Sequence, residues 1–435
     1  MDGVSGTETR ILTVILGGGQ GTRLFPLTKT RCKAAVPIGG KYRLIDVPLS
    51  NCIHSGLHHI FLLAQYLGES LQRHIVQTYR FDQFADGFIE ILSAQQTLTD
   101  FMWYEGTADA VRKNIQRIER FRADHVLILS ADHLYRMDYR HLIKYHTDRR
   151  ADLTLAGTLV GPEEAPRMGI IQADAAMQVQ ALIEKPKDPK QLAGLERPPV
   201  SGQEKRYLAS MGIYLFRKHF LIDLLKNSSA PDFGSHIIPE AVQKAKVVAF
   251  PFDGYWVDVG TVASFYDASM DFVSPLPRFD FYREKERVFT RPRYLPPAKF
   301  IDSKITRCVI GEGSIIDSVE IFDSIVGIRS VIDKQCQIRR SVLMGNDYYE
   351  RQFDTGLIRP RIGPRVNIER AIVDKNVVIG EGVQIQGTQR NVNLDAEYYC
   401  IRDGIVVIPT NTVVPAGTQI IADKLAEVED HGGCK

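Results

Sequence analysis

The sequence predicts an α/β domain built on a mostly parallel sheet, followed by a parallel β-helix. Through the first 270 residues, apolar runs rich in branched side chains alternate with helix-like segments, as in buried strands joined by helices. Beyond residue 300, aliphatic residues recur every six positions. That period is too long for the alternation of a strand and too regular for a helix, so it favours stacked β-helix coils.

The first region contains five apolar runs that are typical of buried strands. They are Ile11–Leu16, Ile60–Leu63, Val126–Leu129, Leu153–Leu159 and Val247–Phe250. Helical spacing of apolar residues occurs between them, at Leu67–Val76, Thr107–Phe121 and His141–Thr147. Because ligands of such sheets bind at the carboxyl ends of the strands, the residues just after these runs are the first functional candidates.

The six-residue spacing defines the second region. It is seen in Ile310, Ile316, Phe322 and Ile328, in Ile362 and Ile368, and in Ile379 and Ile385. The phrase Ile-Gly-Glu-Gly occurs twice, at 310–313 and 379–382, and Gly345–Pro360 interrupts the coils. An irregular β-sandwich would also give short strands, but without a repeated register.

A proline-rich stretch separates the two regions. Residues 274–299 hold five of the 21 prolines among alternating charges, which predicts an extended linker. The predicted domains are therefore a catalytic domain at 1–273, a linker at 274–299 and a β-helix domain at 300–435.

The composition excludes several classes of protein. The 435 residues include 54 Lys and Arg against 52 Asp and Glu, a net charge of +2 that argues against a protein coating nucleic acid. No apolar run approaches the ~20 residues of a membrane-spanning helix, and the short polar start leaves no room for a signal peptide. Six scattered cysteines predict neither a metal cluster nor a disulfide framework, and a cytoplasmic location is expected.

The most specific feature is a glycine-rich segment, Gly17-Gly18-Gly19-Gln20-Gly21-Thr22-Arg23-Leu24, directly after the first strand. Its backbone N–H groups can approach an anion closely. The dinucleotide fingerprint fails because Thr22 occupies its last glycine position, and the P-loop fails because no Gly-Lys-Ser/Thr follows. Six basic residues and no acid lie between Ile11 and Ile45: Arg23, Lys29, Arg31, Lys33, Lys41 and Arg43. A polyphosphate is the expected partner, and a solvated basic loop is the alternative.

Two isolated acids are candidate metal ligands. Asp132 follows the strand Val126–Leu129, and Asp258 lies among apolar residues. Two carboxylates completed by substrate phosphates are a common way to bind Mg²⁺. Alternatively, Asp132 caps the turn that follows it and Asp258 caps a helix starting near Thr261. His133 is expected to pack or to form a hydrogen bond rather than to bind metal.

These motifs together resemble the sugar nucleotidyltransferases, and within them the enzymes that adenylylate glucose 1-phosphate. The resemblance is carried by the glycine segment, Lys33-Ala-Ala-Val-Pro37, Gly39–Asp46, Pro48–Gly56 and Trp103–Val111, and it extends over nearly the whole chain. It implies a Rossmann-like catalytic domain and a left-handed β-helix of hexapeptide repeats. It also implies Mg²⁺-dependent transfer of AMP from ATP to glucose 1-phosphate for glycogen synthesis, in a homotetramer regulated by small anionic metabolites.

The resemblance also implies roles for single residues. Catalytic roles fall on Arg23, Lys33 and Asp132, and metal binding on Asp132 and Asp258. Nucleotide-binding positions are Gly17, Gly18, Gly19, Gln95, Gly106 and Tyr104. The glucose 1-phosphate site comprises Gly169, Glu184, Lys185, Ser210 and Asp232. Candidate effector residues are Arg31, Lys41, Arg43 and Lys375.

Several alternatives remain open at this point. Ser210 and Asp232 could serve only as turn or cap residues, and Trp103 and Tyr104 could be core aromatics. The division of the cations between substrate and effector is undetermined, and the second effector lysine of photosynthetic relatives is replaced by Thr410. Other candidate functions are an enzyme using UTP or dTTP, an inactive regulatory subunit, and an acyltransferase. The last is set aside because the β-helix offers only His431 as a histidine base.

Overall fold

The computed structural model describes residues 9–19, 21–65, 67–82, 84, 86–93, 104–197, 206–353 and 356–425. These residues form two compact units. The sheet unit comprises residues 9–19, 47–68 and 75–256, and the coil unit comprises residues 20–46, 69–74 and those from 257 onward. The basic segment after the glycine loop therefore belongs to the same unit as the β-helix.

A sheet of nine strands forms the centre of the sheet unit, as far as the described residues show. Seven of them follow one another in the order Val179–Glu184, Gly169–Ala173, Tyr207–Arg217, His125–Ser130, Ile11–Leu16, His59–Ala64 and Phe88–Ser93. Leu153–Val160 pairs with both Tyr207–Arg217 and Val247–Pro251. All five strands predicted from apolar runs are confirmed.

The sheet is parallel only in part. Ile11–Leu16 pairs in parallel with His59–Ala64 and with His125–Ser130. Tyr207–Arg217, in contrast, runs antiparallel to His125–Ser130. The parallel arrangement expected from the sequence thus holds around the strand that leads into the glycine loop, and the far half of the sheet is mixed.

Helices cover this sheet and bury its aliphatic residues. The α-helices of the sheet unit are Asp46–His54, Thr107–Lys113, Ile115–Arg120, Tyr139–Asp148, Pro189–Leu192, Lys218–Lys226 and Ile238–Lys244 among the described residues, with a π-helical turn at Phe233–Ile237. The helix Glu69–Thr78 is divided between the two units, and Val262–Asp271 belongs to the coil unit. The helix predicted over 107–121 is interrupted at Asn114, whose side chain donates to the Ala110 carbonyl. Among the described helices, none has the length and apolarity needed to cross a membrane.

The coil unit contains three stacks of short parallel strands. The first is Lys299–Ile301, Ile315–Asp317, Val331–Ile332, Arg361–Ile362, Val378–Ile379 and Val413–Val414. The second is Lys304–Thr306, Glu320–Phe322, Gln337–Arg339, Asn367–Glu369, Gln384–Gln386 and Gln419–Ile421. The third is Val309–Ile310, Ile325–Val326, Val342–Leu343, Ala371–Val373 and Ile405–Ile408, extended by the antiparallel strands Cys400–Arg402 and Leu394–Asp395.

The register of these coils departs from the six-residue pattern at several corners. Ile316 and Ile368 are fully buried, as predicted, but in the second stack Ile321 points inward and Phe322 outward. Paired Ile315 and Val331 are 16 residues apart, not 18. Left-handed corner residues, such as Ser318 at φ 55°, turn the chain so that successive inward residues, here Ile316 and Ile321, are five positions apart rather than six.

The predicted interruption and linker both adopt ordered structure. The interruption at Gly345–Pro360 carries a hairpin of Arg351–Phe353 and Gly356–Ile358. The proline-rich segment is not extended throughout, because it contains a 3₁₀ turn at Glu284–Glu286. It is also packed, because Phe281 stacks on Tyr42 with ring centroids 4.4 Å apart. We call residues 279–294 the strap.

A buried histidine packs against a half-buried one in the sheet unit. His146 is 1% exposed, lies edge-on to His125 with ring centroids 4.8 Å apart, and shares a hydrogen bond of 2.8 Å with Thr154. Burial, helped by the neighbouring His125 and Arg217, lowers the pKa of His146 to about 3. His146 of the folded chain therefore stays neutral at pH values at which the same residue of the unfolded chain, with a pKa near 6.5, is protonated.

This pair predicts acid lability. Between pH 6.5 and about pH 3, the free energy of unfolding should fall by up to about 1.4 kcal/mol per pH unit through His146. His146→Gln should flatten that dependence in thermal unfolding measured against pH, whereas His236→Gln, at an exposed histidine of the same unit, should not. An unchanged slope in His146→Gln would contradict the assignment.

Candidate active site

The glycines Gly17, Gly18 and Gly19 after the first strand have different structural roles. The Gly17 N–H donates to the Leu63 carbonyl at 2.8 Å, and a Cβ at Gly17 would lie 2.7 Å from that oxygen. Gly18 has φ 89°, which favours glycine. Gly18 and Gly19 are exposed. Gly17 therefore serves strand packing, while Gly18 and Gly19 present accessible backbone to a ligand.

A carboxylate of the sheet unit is held between two glycines. Glu184 ends the strand Val179–Glu184 and faces Gly169 in the antiparallel register. A Cβ at Gly169 or Gly234 would lie 2.7 or 2.8 Å from Glu184 Oε2. The next residue, Lys185, has an exposed side chain whose ammonium donates to Glu184. The pocket thus presents a carboxylate and a cation side by side.

Asp232 joins the same pocket through a helix start. Its Oδ1 accepts hydrogen bonds from the Thr107 N–H at 3.2 Å and the Thr107 hydroxyl at 3.3 Å. A Cβ at Gly106 would lie 2.5 Å from the Pro231 carbonyl, so only glycine permits this approach. Asp232 makes no side-chain cap bond to the turn Phe233–Ile237 that it precedes; it binds Thr107 at the start of another helix and so fixes Gly106 beside the pocket.

Ser210 lies at a β-bulge near Glu184. The register shifts between Ser210 and Tyr214, and the Gly212 N–H donates to the Ser210 hydroxyl at 3.3 Å. Tyr214 is buried and hydrogen-bonded to Ser210, and burial, with the charge of Glu184, raises its pKa to about 12. Tyr214 ends the segment from Ser210 that the resemblance places at this pocket, although the resemblance implies no separate role for it.

Asp132 lies just beyond the strand His125–Ser130, as predicted. The Ser130 hydroxyl donates to its carboxylate, and His133 Nε2 lies 3.4 Å from Asp132 Oδ1. The His133 ring packs edge-on against Trp256 at 5.0 Å, which matches the packing role expected for it.

The coil unit holds the second acid. Lys33 is buried, and its Nζ lies 3.4 Å from Asp258 Oδ1. A Cβ at Gly260 would lie 2.8 Å from the same oxygen. The helix Val262–Asp271 is capped by Thr261 in a capping box with Ser264, so the capping alternative for Asp258 is wrong.

The basic segment contains no acidic residue, but the folded chain brings carboxylates to several of its cations. Arg31 Nη1 lies 2.8 Å from Asp374 Oδ1, Lys41 lies 2.9 Å from Glu312, and Arg43 donates to the Ser70 carbonyl at 2.8 Å. Arg23 and Lys29 are exposed. A solvated loop is therefore the wrong description for most of the segment, because carboxylates from distant residues face its buried cations.

Three of the four candidate effector residues meet in one cluster. Arg31 contacts Asp374, and the neighbouring Lys375 is buried with its ammonium on Asp347. Burial lowers the pKa of Lys375 and, to about 10, that of Arg43, and the charge of Arg43 also acts on Lys375. The Thr410 hydroxyl donates to the Lys375 carbonyl at 2.9 Å, so this position supports the backbone of the cluster.

Arg293 belongs to this cluster and was missed in the sequence. It donates to the Lys41 and Arg291 carbonyls at 3.2 and 3.1 Å, and burial, with the charge of Arg291, lowers its pKa. The signal was the Arg291-Pro-Arg293 phrase inside the predicted linker.

The strap also lines an open cavity of about 820 Å³ within the coil unit. We call it the strap cavity. Its charged lining comprises Lys41, Arg283, Arg287, Arg291, Arg293, Glu284 and Glu312. The volume lies in the usual range for small-molecule sites, and the excess of cations suits an anion.

The remaining predicted nucleotide contacts are less informative. Gln95 and Trp103 lie outside the described residues. The Tyr104 hydroxyl accepts from Asn114 at 3.0 Å, and its ring packs on the sheet core, which favours the core alternative.

Comparison with protein families agrees with both units. A family model described as "Nucleotidyl transferase" matches residues 12–274, which is more than half of the chain. A second, described as the GLGC left-handed parallel beta-helix domain, matches residues 293–419. The family implies a nucleotide and a sugar phosphate as substrates. The chain is therefore a member of the nucleotidyl transferase family that carries a left-handed β-helix domain of the GLGC type.

Proposed function

We propose that this chain is a glucose-1-phosphate adenylyltransferase, an ADP-glucose pyrophosphorylase of the bacterial type that supplies α-glucan synthesis. The observation that carries the proposal is the Glu184–Lys185 pocket in a chain with both family domains. The carboxylate can accept sugar hydroxyls, and the exposed ammonium beside it can hold a phosphate. A sugar 1-phosphate has both groups on one small ring.

The proposed reaction is an in-line displacement at phosphorus. A phosphate oxygen of glucose 1-phosphate forms a bond to the α-phosphorus of ATP, and the bond from that phosphorus to the bridging oxygen of pyrophosphate breaks. No enzyme nucleophile is required. Because two polyanions must meet, binding and orientation dominate the catalytic contribution, and fixing both reactants can supply on the order of 7–11 kcal/mol.

Each cation is proposed to hold one of these anions. Lys185 positions the attacking phosphate, and Glu184, fixed between Gly169 and Gly234, orients the sugar. Arg23 and Lys33 stabilise the departing pyrophosphate. For Lys33 the fixed burial beside Asp258 places the ammonium before substrate arrives, so little reorganisation is needed during the reaction.

Asp132 and Asp258 are proposed to hold Mg²⁺. Both offer hard carboxylate oxygens, the donors Mg²⁺ prefers, and Gly260 leaves the space around Asp258 that a side chain would fill. When bound, the ion neutralises charge on the reacting phosphates.

Regulation and assembly are part of the proposal. Arg31, Arg43 and Lys375, with Lys41 at the strap cavity, are proposed to bind small anionic effectors. The active form is proposed to be a homotetramer. The added guanidinium of Arg293 supports an effector role for this cluster, since it has no carboxylate hydrogen-bond partner among the described residues.

The proposal is tested by pyrophosphate release with ATP, UTP and dTTP against a panel of sugar 1-phosphates. We expect release with ATP and glucose 1-phosphate above every other pair. Release with UTP but not ATP would overturn the nucleotide assignment, and no release with any pair would support an inactive regulatory subunit.

Removal of the Asp132 charge tests the metal assignment. Asp132→Asn should lower turnover by at least about 100-fold, because an amide cannot balance the charge of a divalent cation. Thermal unfolding should be unchanged. Asp148→Asn, at an exposed aspartate paired with Lys144, is the matched control and should keep full turnover. Turnover in Asp132→Asn within threefold of the parent would remove this residue from the site.

A methyl group tests the glycine pocket. Gly169→Ala places a Cβ against Glu184 Oε2 and should displace the carboxylate, which raises the KM for glucose 1-phosphate by about tenfold, as expected for a lost hydrogen bond to a charged group, with the KM for ATP unchanged. Gly161→Ala, where the Cβ meets open space, is the control. Equal effects on both KM values, or none, would count against the pocket.

A further inference from the structure

The effector cluster of the coil unit carries its own anion. Lys375 is only 8% exposed at its side chain, yet its ammonium contacts the carboxylate of Asp347, which is 53% exposed. Asp347 Oδ2 also accepts from Asn376 Nδ2 at 3.1 Å. The half-exposed carboxylate of Asp347 therefore contacts both the buried Lys375 ammonium and the Asn376 side-chain amide.

A short segment holds this carboxylate in place. The Asp347 N–H donates to Asn376 Oδ1 at 2.8 Å, the Asn376 N–H donates to Asn346 Oδ1 at 3.2 Å, and the Asn346 amide donates to the Arg329 carbonyl at 2.9 Å. Asp347 lies four positions before the hairpin that interrupts the coils. The contact is thus made by the start of an insertion rather than by a strand of the β-helix.

The cluster has no room for a further anion as it stands. The void among Arg43, Arg293 and Lys375 has a volume of about 10 Å³, about that of one water. The adjoining strap cavity shares Lys41 and Arg293 with its lining and is large enough for a metabolite. A ligand anion that contacts the Lys375 ammonium would therefore compete with the carboxylate that this ammonium now contacts.

We propose that Asp347 is an internal competitor. Its carboxylate occupies the position on the Lys375 ammonium, which we call the seat, that the phosphoryl group of an effector would take. The inference rests on the effector role proposed above for this cluster. Binding exchanges one carboxylate for the phosphate of a small metabolite and breaks the Asp347 contacts with Lys375 and Asn376.

The charges around the seat favour a dianion over a carboxylate. Arg43 and Arg293 both act electrostatically on Lys375. Although burial opposes ionisation of Asp347, the charges of Lys375 and Arg43 hold its pKa below the usual range. The charge of Asp347 acts on Arg43 and Arg293 as well as on Lys375, and Asp46 also acts on the two arginines. A phosphate with two charges in the place of the Asp347 carboxylate would add negative charge where these three cations converge.

The test is calorimetric titration of the full-length protein with inorganic phosphate at fixed ionic strength, without substrates. The parent should bind weakly. Asp347→Asn keeps the shape but removes the competing charge, and it should bind phosphate about tenfold more tightly. Asp347→Glu, which restores a carboxylate, should behave like the parent, and so should Asp323→Asn, at an aspartate paired with Arg307 elsewhere on the coils. Acetate, a monoanion, should bind less tightly than phosphate.

A double variant separates competition from a merely structural role. In Asp347→Asn with Lys375→Met the gain should disappear, because the seat itself is lost. Phosphate affinity in Asp347→Asn equal to or below that of the parent would overturn the proposal, as would a gain that survives in the double variant or an absence of binding throughout. The measurement needs no catalysis, so failure of the substrate assignment in the pyrophosphate assay leaves its outcome independent.

Discussion

A buried cation needs a counter-charge, and in the coil unit that charge comes from far along the chain. Arg31 and Asp374 are 343 residues apart, and Lys33 and Asp258 are 225 apart. An unpaired ion at such burial would be strongly destabilising. Because no acid lies between Ile11 and Ile45, Arg31 and Lys33 meet these counter-charges only when the chain after residue 257 has folded.

The sheet unit depends on close approach rather than on charge. The antiparallel register that sets Gly169 opposite Glu184 leaves no space for a side chain beside the carboxylate, and Gly234 closes the other side. A flexible glutamate becomes a fixed acceptor without an ion pair to a buried cation. Preorganised groups of this kind lose little entropy when a ligand arrives, so the pocket can discriminate by shape as well as by charge.

The sequence predicted what depends on local pattern. Apolar runs located the strands, and the position of Asp132 beyond one of them followed from the rule for sheet ligands. It could not decide between a cap and a ligand for Asp258, since that depends on whether Thr261 caps the helix. Phe322 was assigned inward because the count of six ignores left-handed corners. Arg293 was missed because it lies in the predicted linker. Proline content predicts an extended chain, but it does not show whether that chain packs against the rest of the protein.

These contacts give a physical reason for the small net charge of the chain. Its +2 charge reflects cations that carboxylates of the same chain already face, as Lys375 faces Asp347. An anionic ligand entering such a cluster does not add charge to an empty positive surface but replaces a charge already there. Affinity is then a difference between two similar interactions, so a change in the internal carboxylate alters binding as directly as a change in the cation.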